Sequence, residues 1–132
     1  MKALMIYLNQ LPRPLWGVLF AAYCLLIYVL SNQSQLPVPD VFESQDKLIH
    51  STAYAGMAWL FWQTWQGKLS NRLLPLYTVF FCSLYGVTDE WHQSFIVGRD
   101  ASFFDWLADT LGAMLLVFFR YKKRISTLHS SL

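Results

Sequence analysis

Residues 14–31, PLWGVLFAAYCLLIYVLS, carry no charged side chain. A run of that length and character is what a helix needs to cross a lipid bilayer, since about 20 mostly apolar residues cover the ~30 Å hydrocarbon layer. Three more runs follow. Residues 48–65 are uncharged, with His50 and Gln63 as their only strongly polar members, residues 73–88 are uncharged, and residues 103–119 are broken only by Asp105 and Asp109. The chain is 132 residues long, 55% hydrophobic and 17% aromatic. A soluble domain of that composition would have too little polar surface to face water. The pattern predicts an all-α chain: a four-helix transmembrane bundle forming one integral membrane domain over residues 1–132, with spans at roughly 14–32, 46–66, 72–93 and 103–121.

Charge sets the orientation. Lys2, Arg13, Lys68, Arg72, Arg120, Lys122, Lys123 and Arg124 fall on the side that holds both termini and the connection between the second and third helices, and only Lys47 and Arg99 fall opposite. Cytoplasmic loops carry the excess of Lys and Arg, so both termini are expected in the cytoplasm. All eight acidic residues lie between Asp40 and Asp46 or between Asp89 and Asp109, and therefore on the outer side. The formal net charge of +2 is a difference between two opposed faces and gives no reason to expect nucleic acid. The basic tail reads as a topology determinant and a contact for anionic membrane lipid.

The first run has Lys2 and Arg13 ahead of it, as a secretory signal would. It is longer than a usual signal core, and no small-x-small cleavage site follows in residues 29–36, so an uncleaved first helix is expected. Cys24 and Cys82 sit near the middles of two apolar runs, where a thiol is ordinarily a small apolar side chain rather than half of a disulfide or a metal site. The connections are short. Residues 31–40, SNQSQLPVPD, read as an extended turn; residues 66–71, QGKLSN, as a compact inner turn with Gly67 after the helix; residues 94–102, SFIVGRDAS, as an outer loop bending at Gly98, with Ser102 placed to cap the fourth helix.

Several polar residues stand where a membrane helix should not have them without cause. Asp46 and His50 are four apart and share a face of the second helix, which Tyr54 continues inward. Asp89 and Gln93 form the same pair on the third, with Glu90 and His92 beside them; Asp105, Asp109 and Gly112 share a stripe on the fourth. Ionisable residues inside a membrane are costly and face a bundle interior or a wet cavity. One convergent pocket at the outer end is therefore expected. Like charges so crowded are destabilising unless something neutralises them, so at least one carboxylate should be protonated or bound to a metal.

These same residues carry a resemblance. Asp46-Lys47-Leu48-Ile49-His50 with Tyr54, then Asp89-Glu90-Trp91-His92-Gln93, then Gly98-Arg99-Asp100, then residues 105–112, DWLADTLG, resemble the VanZ-like membrane proteins. That family's pattern runs DK, H and Y, then DE and Q, then GR, then D and a helix ending in glycine. The resemblance covers residues 31 to about 116 and implies a multi-pass protein of the bacterial cytoplasmic membrane, linked to resistance to glycopeptide antibiotics such as teicoplanin. Asp109 departs from it, because relatives often have Asn there; the extra charge counts against any mechanism that needs an amide at that position.

The residues leave three uses of the pocket open. In the first, it binds or modifies an envelope lipid headgroup, an envelope precursor or a glycopeptide-like molecule, with Arg99 as a planar clamp for phosphate or carboxylate and His50 or His92 as proton donor. In the second, the chain is a small metal-dependent hydrolase or transferase. Asp46, His50, Asp89, Glu90 and Asp105 are then the candidate ligands for Mg, Mn or Zn, with Asp89 or Glu90 as ligand or base, His50 as acid or base, Arg99 as electrostatic clamp and Asp105 completing the site. Tyr54, His92, Gln93 and Asp109 line the same pocket. In the third, the chain is an accessory subunit whose outer face docks a membrane partner; four short helices are also compatible with a homodimer. Against all three stands a structural reading in which Arg99 pairs with Asp89, Asp105 or Asp109, and Asp46 with His50 or Lys47, merely tying the helices together.

Overall fold

The computed structural model describes residues 11–34, 41, 42 and 44–129, the side chains of 125 and 127–129 excepted. Most of the turn expected over residues 31–40 lies outside the described residues, as do Lys2, Asp40 and Glu43. Four helices account for the architecture: α1 (Arg13–Ser31), α2 (Gln45–Trp65), α3 (Leu73–Gln93) and α4 (Phe103–His129). They coincide with the four apolar runs, and no strand accompanies them among the described residues. α1 starts behind Pro12 with Pro14 in its first turn, where a missing N–H costs nothing. α4 continues past residue 121 because residues 121–129 hold no glycine or proline to break it.

α2 is the central helix. It packs on α1, α3 and α4, whereas among the described residues the backbones of α1 and α4 do not come close to each other. The tightest meeting is between α2 and α4, where Gly112 lies against the backbone carbonyl of Ser51, so close that a β-carbon there would collide with it. Small residues at such crossings let backbones approach and gain dispersion contact. Below that point Tyr54, Met57, Ala58, Cys82 and Ala113 close one apolar core, and Phe61, Trp62, Leu74 and Val117 close a second. Between the two, the ring of Phe61 stacks on that of Phe81 and Phe20 meets both edge-on. Cys24 and Cys82 are free thiols.

The connections hold the helices in register. Gly67, at φ 82°, makes the left-handed turn after α2, and Gly98, at φ 86°, makes the one between α3 and α4; glycine enters that region without a steric cost. The Ser102 hydroxyl accepts the Asp105 N–H at 3.3 Å, which caps the start of α4. Interhelical hydrogen bonds run from Tyr23 to the Ala53 carbonyl, from Tyr85 to the Cys24 carbonyl and from Trp106 to the Ser83 carbonyl. Among the described helices only α1 is apolar enough along its length to qualify by itself as a membrane span, at a mean hydropathy of 1.9. Polar side chains such as His50, Asp89, Glu90, Asp105 and Asp109 interrupt the other three.

Candidate functional site

The end of the bundle where α1 and α3 finish and α2 and α4 begin gathers the polar residues. Asp89 on α3 is the hub of one network. Ser31, the last residue of α1, donates its hydroxyl to Asp89 Oδ1 and accepts Gln93 Nε2 at 2.7 Å. Gln93 also reaches Asp89 Oδ2 at 3.3 Å, and the Tyr54 hydroxyl donates to the same oxygen at 3.4 Å. Three helices thus meet on one carboxylate, and every member is buried. Burial makes each of these bonds matter, because a polar group lost from water is costly unless a partner replaces it.

A second group lies beside it. His50 Nδ1 and Asp109 Oδ1 stand 2.9 Å apart, joining α2 to α4. Glu90 on α3 is close by. One ligand atom from each of His50, Glu90 and Asp109 falls within 4.8 Å of the others. Glu90 spends one oxygen, Oε2, on the Ser102 N–H at 2.7 Å, which ties the connection between α3 and α4 to α3. Its other oxygen, Oε1, is buried without a partner, and so is Asp109 Oδ2. Gly86, one turn below Glu90 on the same face, makes room for the Asp109 carboxylate: a β-carbon there would lie 3.0 Å from Oδ2.

Between α1, α2 and α3 lies a cavity of about 60 Å³, lined on its polar side by Ser31, His50, Tyr54, Asp89, Gln93 and Arg99, with Ile27, Leu30, Ile49 and Ala53 as its apolar wall. About 10–15 Å³ of such space already holds one water, so this cavity admits a small polar group. Arg99 makes no ion pair among the described residues, and its Nε is buried without a partner. The structural reading had paired it with Asp89, Asp105 or Asp109; those carboxylates hold Ser31, Lys47 and His50 instead.

The remaining expected site residues are placed differently. Asp46 is exposed and pairs with Lys47 at 2.9 Å, and Lys47 also holds Asp105 at 2.7 Å. Lys47 therefore bridges both carboxylates, offsetting one of their two charges, and holds them at the rim. His92 stacks on the ring of Tyr28, with ring centroids 4.8 Å apart, in the contact between α1 and α3. Of the five residues expected as metal ligands, His50 and Glu90 come together, while Asp46, Asp89 and Asp105 have other partners; Asp109 joins the pair in their place. Ser31 was not expected at the site at all. Its only sequence signal is a hydroxyl ending an apolar run at the level of Asp89.

The arrangement offers an unpaired guanidinium and a carboxylate on one small cavity, with an imidazole held by a second carboxylate next to it. A protein-family model described as VanZ/LLP1 matches residues 15–123, from the first turn of α1 to the basic stretch of α4. No curated protein and no solved structure matches the chain. The matched residues include all four helices and every side chain of the polar cluster, and the chain belongs to the VanZ/LLP1 family.

Proposed function

We propose that this VanZ/LLP1 protein is a multi-pass protein of the bacterial cytoplasmic membrane that binds the polar headgroup of an envelope lipid or lipid-linked precursor. A glycopeptide-like molecule would engage the same site through one terminal group. Immersion in lipid is supported by the outward faces of α1, α3 and α4, which expose Val18, Leu25, Leu76, Phe80, Phe118 and Phe119; contiguous apolar surface of that extent marks a membrane or partner contact. Helices of 19, 21, 21 and 27 residues run roughly 28 to 40 Å at ~1.5 Å per residue, enough to cross. With basic residues at the opposite end, the cavity then faces the outer leaflet and both termini face the cytoplasm.

Arg99 carries the reading. A buried guanidinium nitrogen without a partner, on the wall of a cavity, is a site waiting for an acceptor. The planar fork suits phosphate or carboxylate. Asp89 adds a second preference: a carboxylate has about four lone-pair sites, Ser31, Tyr54 and Gln93 fill three, and the fourth suits an ammonium. The cavity is thus complementary to a zwitterionic end, an anionic group at Arg99 and an amine toward Asp89. Its size admits that end alone, leaving chains or sugars at the mouth. Binding of envelope precursors in this way gives the family's association with glycopeptide resistance a physical basis, since the antibiotic and the protein would compete for the same class of molecule.

Lipid retained through purification tests the proposal. Wild-type protein should carry a phosphate- or carboxylate-bearing lipid by mass spectrometry; Arg99→Ala should lower its occupancy by about tenfold or more, equivalent to ~1.4 kcal/mol. Undiminished lipid on folded Arg99→Ala protein would end this reading.

A further inference from the structure

We propose that His50, Glu90 and Asp109 form a binding site for one divalent transition-metal cation, zinc or manganese, at the junction of α2, α3 and α4. Three observations converge on it. One ligand atom from each residue lies within 4.8 Å of the others. All three residues are buried, Asp109 completely. And two of the carboxylate oxygens, Glu90 Oε1 and Asp109 Oδ2, have no hydrogen-bond partner. Partnerless buried carboxylate oxygens are rare because desolvation costs more than a protein ordinarily tolerates without a compensating charge. Lys47 cannot supply that charge, since it is spent on Asp46 and Asp105, Arg99 forms no ion pair with either group, and His50 reaches only Asp109 Oδ1, at 2.9 Å, so Glu90 Oε1 and Asp109 Oδ2 stay without a partner.

The donor set selects the class of ion. One imidazole and two carboxylates suit zinc, manganese and ferrous iron, whereas calcium takes six to eight oxygens and magnesium keeps several waters. Metal–ligand bonds of about 2 Å require the donor atoms to close in by on the order of 1 Å. Side-chain rotation would have to supply that movement, and the missing β-carbon at Gly86, which would otherwise lie 3.0 Å from Asp109 Oδ2, leaves room for it on that side. Three protein ligands leave a coordination position open, as in sites that hold water or substrate, and His50 lines the same cavity as Arg99. The site stands on residues other than Arg99, so it does not require the headgroup reading to be correct; if both hold, the metal would face the group that Arg99 captures.

Full-length protein in mild detergent, stripped with a chelator and then dialysed separately against zinc, manganese and magnesium, tests the assignment by elemental analysis and thermal unfolding. Zinc or manganese should load to about one equivalent per chain and raise the unfolding temperature, reversibly with chelator. Glu90→Gln and Asp109→Asn should each weaken loading at least ~10-fold, and Arg99→Ala should load like wild type. Cobalt substitution gives a readout independent of any variant: wild-type protein should develop ligand-field absorption of a nitrogen- and oxygen-ligated site. Failure of wild type to load any of the metals, absence of the cobalt spectrum, or folded Asp109→Asn protein that loads undiminished would overturn the site. Loss of loading in Arg99→Ala would overturn it too, by moving the ion to the cavity.

Discussion

The two ends of the bundle treat their polar groups in opposite ways. At the end where α2 and α3 are joined, the buried Gln63 carbonyl accepts both Arg120 Nη2 at 2.8 Å and Gln66 Nε2 at 2.9 Å, Arg120 lies over the Trp62 ring, and Lys68 lies over Trp65. Thr64 and Thr78 return their hydroxyls to the carbonyls one turn earlier. At the other end, Glu90, His92, Arg99 and Asp109 each keep a buried polar atom with no partner, and among the described side chains such atoms occur nowhere else. One end uses its polar groups to finish the fold; the other leaves them over. Leftover capacity in a buried, converging cluster is the signature of a site completed by something other than the chain. The basic end, satisfied and cationic, would on the proposed orientation anchor in the cytoplasmic leaflet.

The harshest way to break the contrast is to separate α2 from α4. Gly112→Ala drives a β-carbon into the Ser51 backbone carbonyl, and neither backbone can yield without unpacking His50 from Asp109. Overpacking of this kind costs about 1 to 3 kcal/mol and more when backbone must shift, so this variant should lose roughly that much stability in thermal or denaturant unfolding. Gly17→Ala serves as the control, since a β-carbon there meets only Thr64 Cγ2 at 3.9 Å, and it should melt with wild type.

Next in size is the loss of function without loss of protein. Glu90→Gln keeps the shape and removes the charge, so metal loading should fall at least ~10-fold while membrane abundance stays within about twofold. At the satisfied end the outcome should invert. Gln63→Leu removes the acceptor shared by Arg120 and Gln66, which should cost on the order of 1 to 3 kcal/mol of stability, with little change in the lipid bound per folded molecule. If Gln63→Leu removed bound lipid as thoroughly as an acid-end variant, the division between anchor and site would be wrong.

Much of this contrast is legible in the sequence, and what is not has a definite physical cause. The helices follow from uncharged runs, because hydrophobicity acts along the chain. That the acids share one level follows from their position at run ends. How they pair does not follow, because a spacing of four residues places Asp46 and His50 on one face but says nothing of which helix that face meets. Rotation of α2 and α4 about their axes turns His50 to Asp109 and gives Asp105 to Lys47. Lys47, a single flexible cation at the rim, thereby removes two of the expected ligands from the centre. Ser31 escaped notice because its role depends on α1 ending level with Asp89, a length match that only packing fixes.

Arg99→Lys sharpens the comparison further. Lysine keeps the charge and loses the planar fork, so if the guanidinium binds its acceptor through two nitrogens, lipid occupancy should fall nearly as far as in Arg99→Ala; near-complete rescue by lysine would reduce the site to a point charge. The smallest effect is expected at the rim. Asp46 is exposed, and its pair with Lys47 stands in competition with Asp105 for the same ammonium. Ion pairs of this exposure contribute roughly 0 to 1 kcal/mol, and Lys47 keeps its better buried partner when Asp46 is neutralised. Asp46→Asn should therefore shift stability by less than about 0.5 kcal/mol and leave both lipid and metal occupancy unchanged. A large loss of metal in Asp46→Asn, measured beside Asp109→Asn, would return the ion to the rim and place the working carboxylates at the start of α2 instead of the second turn of α4.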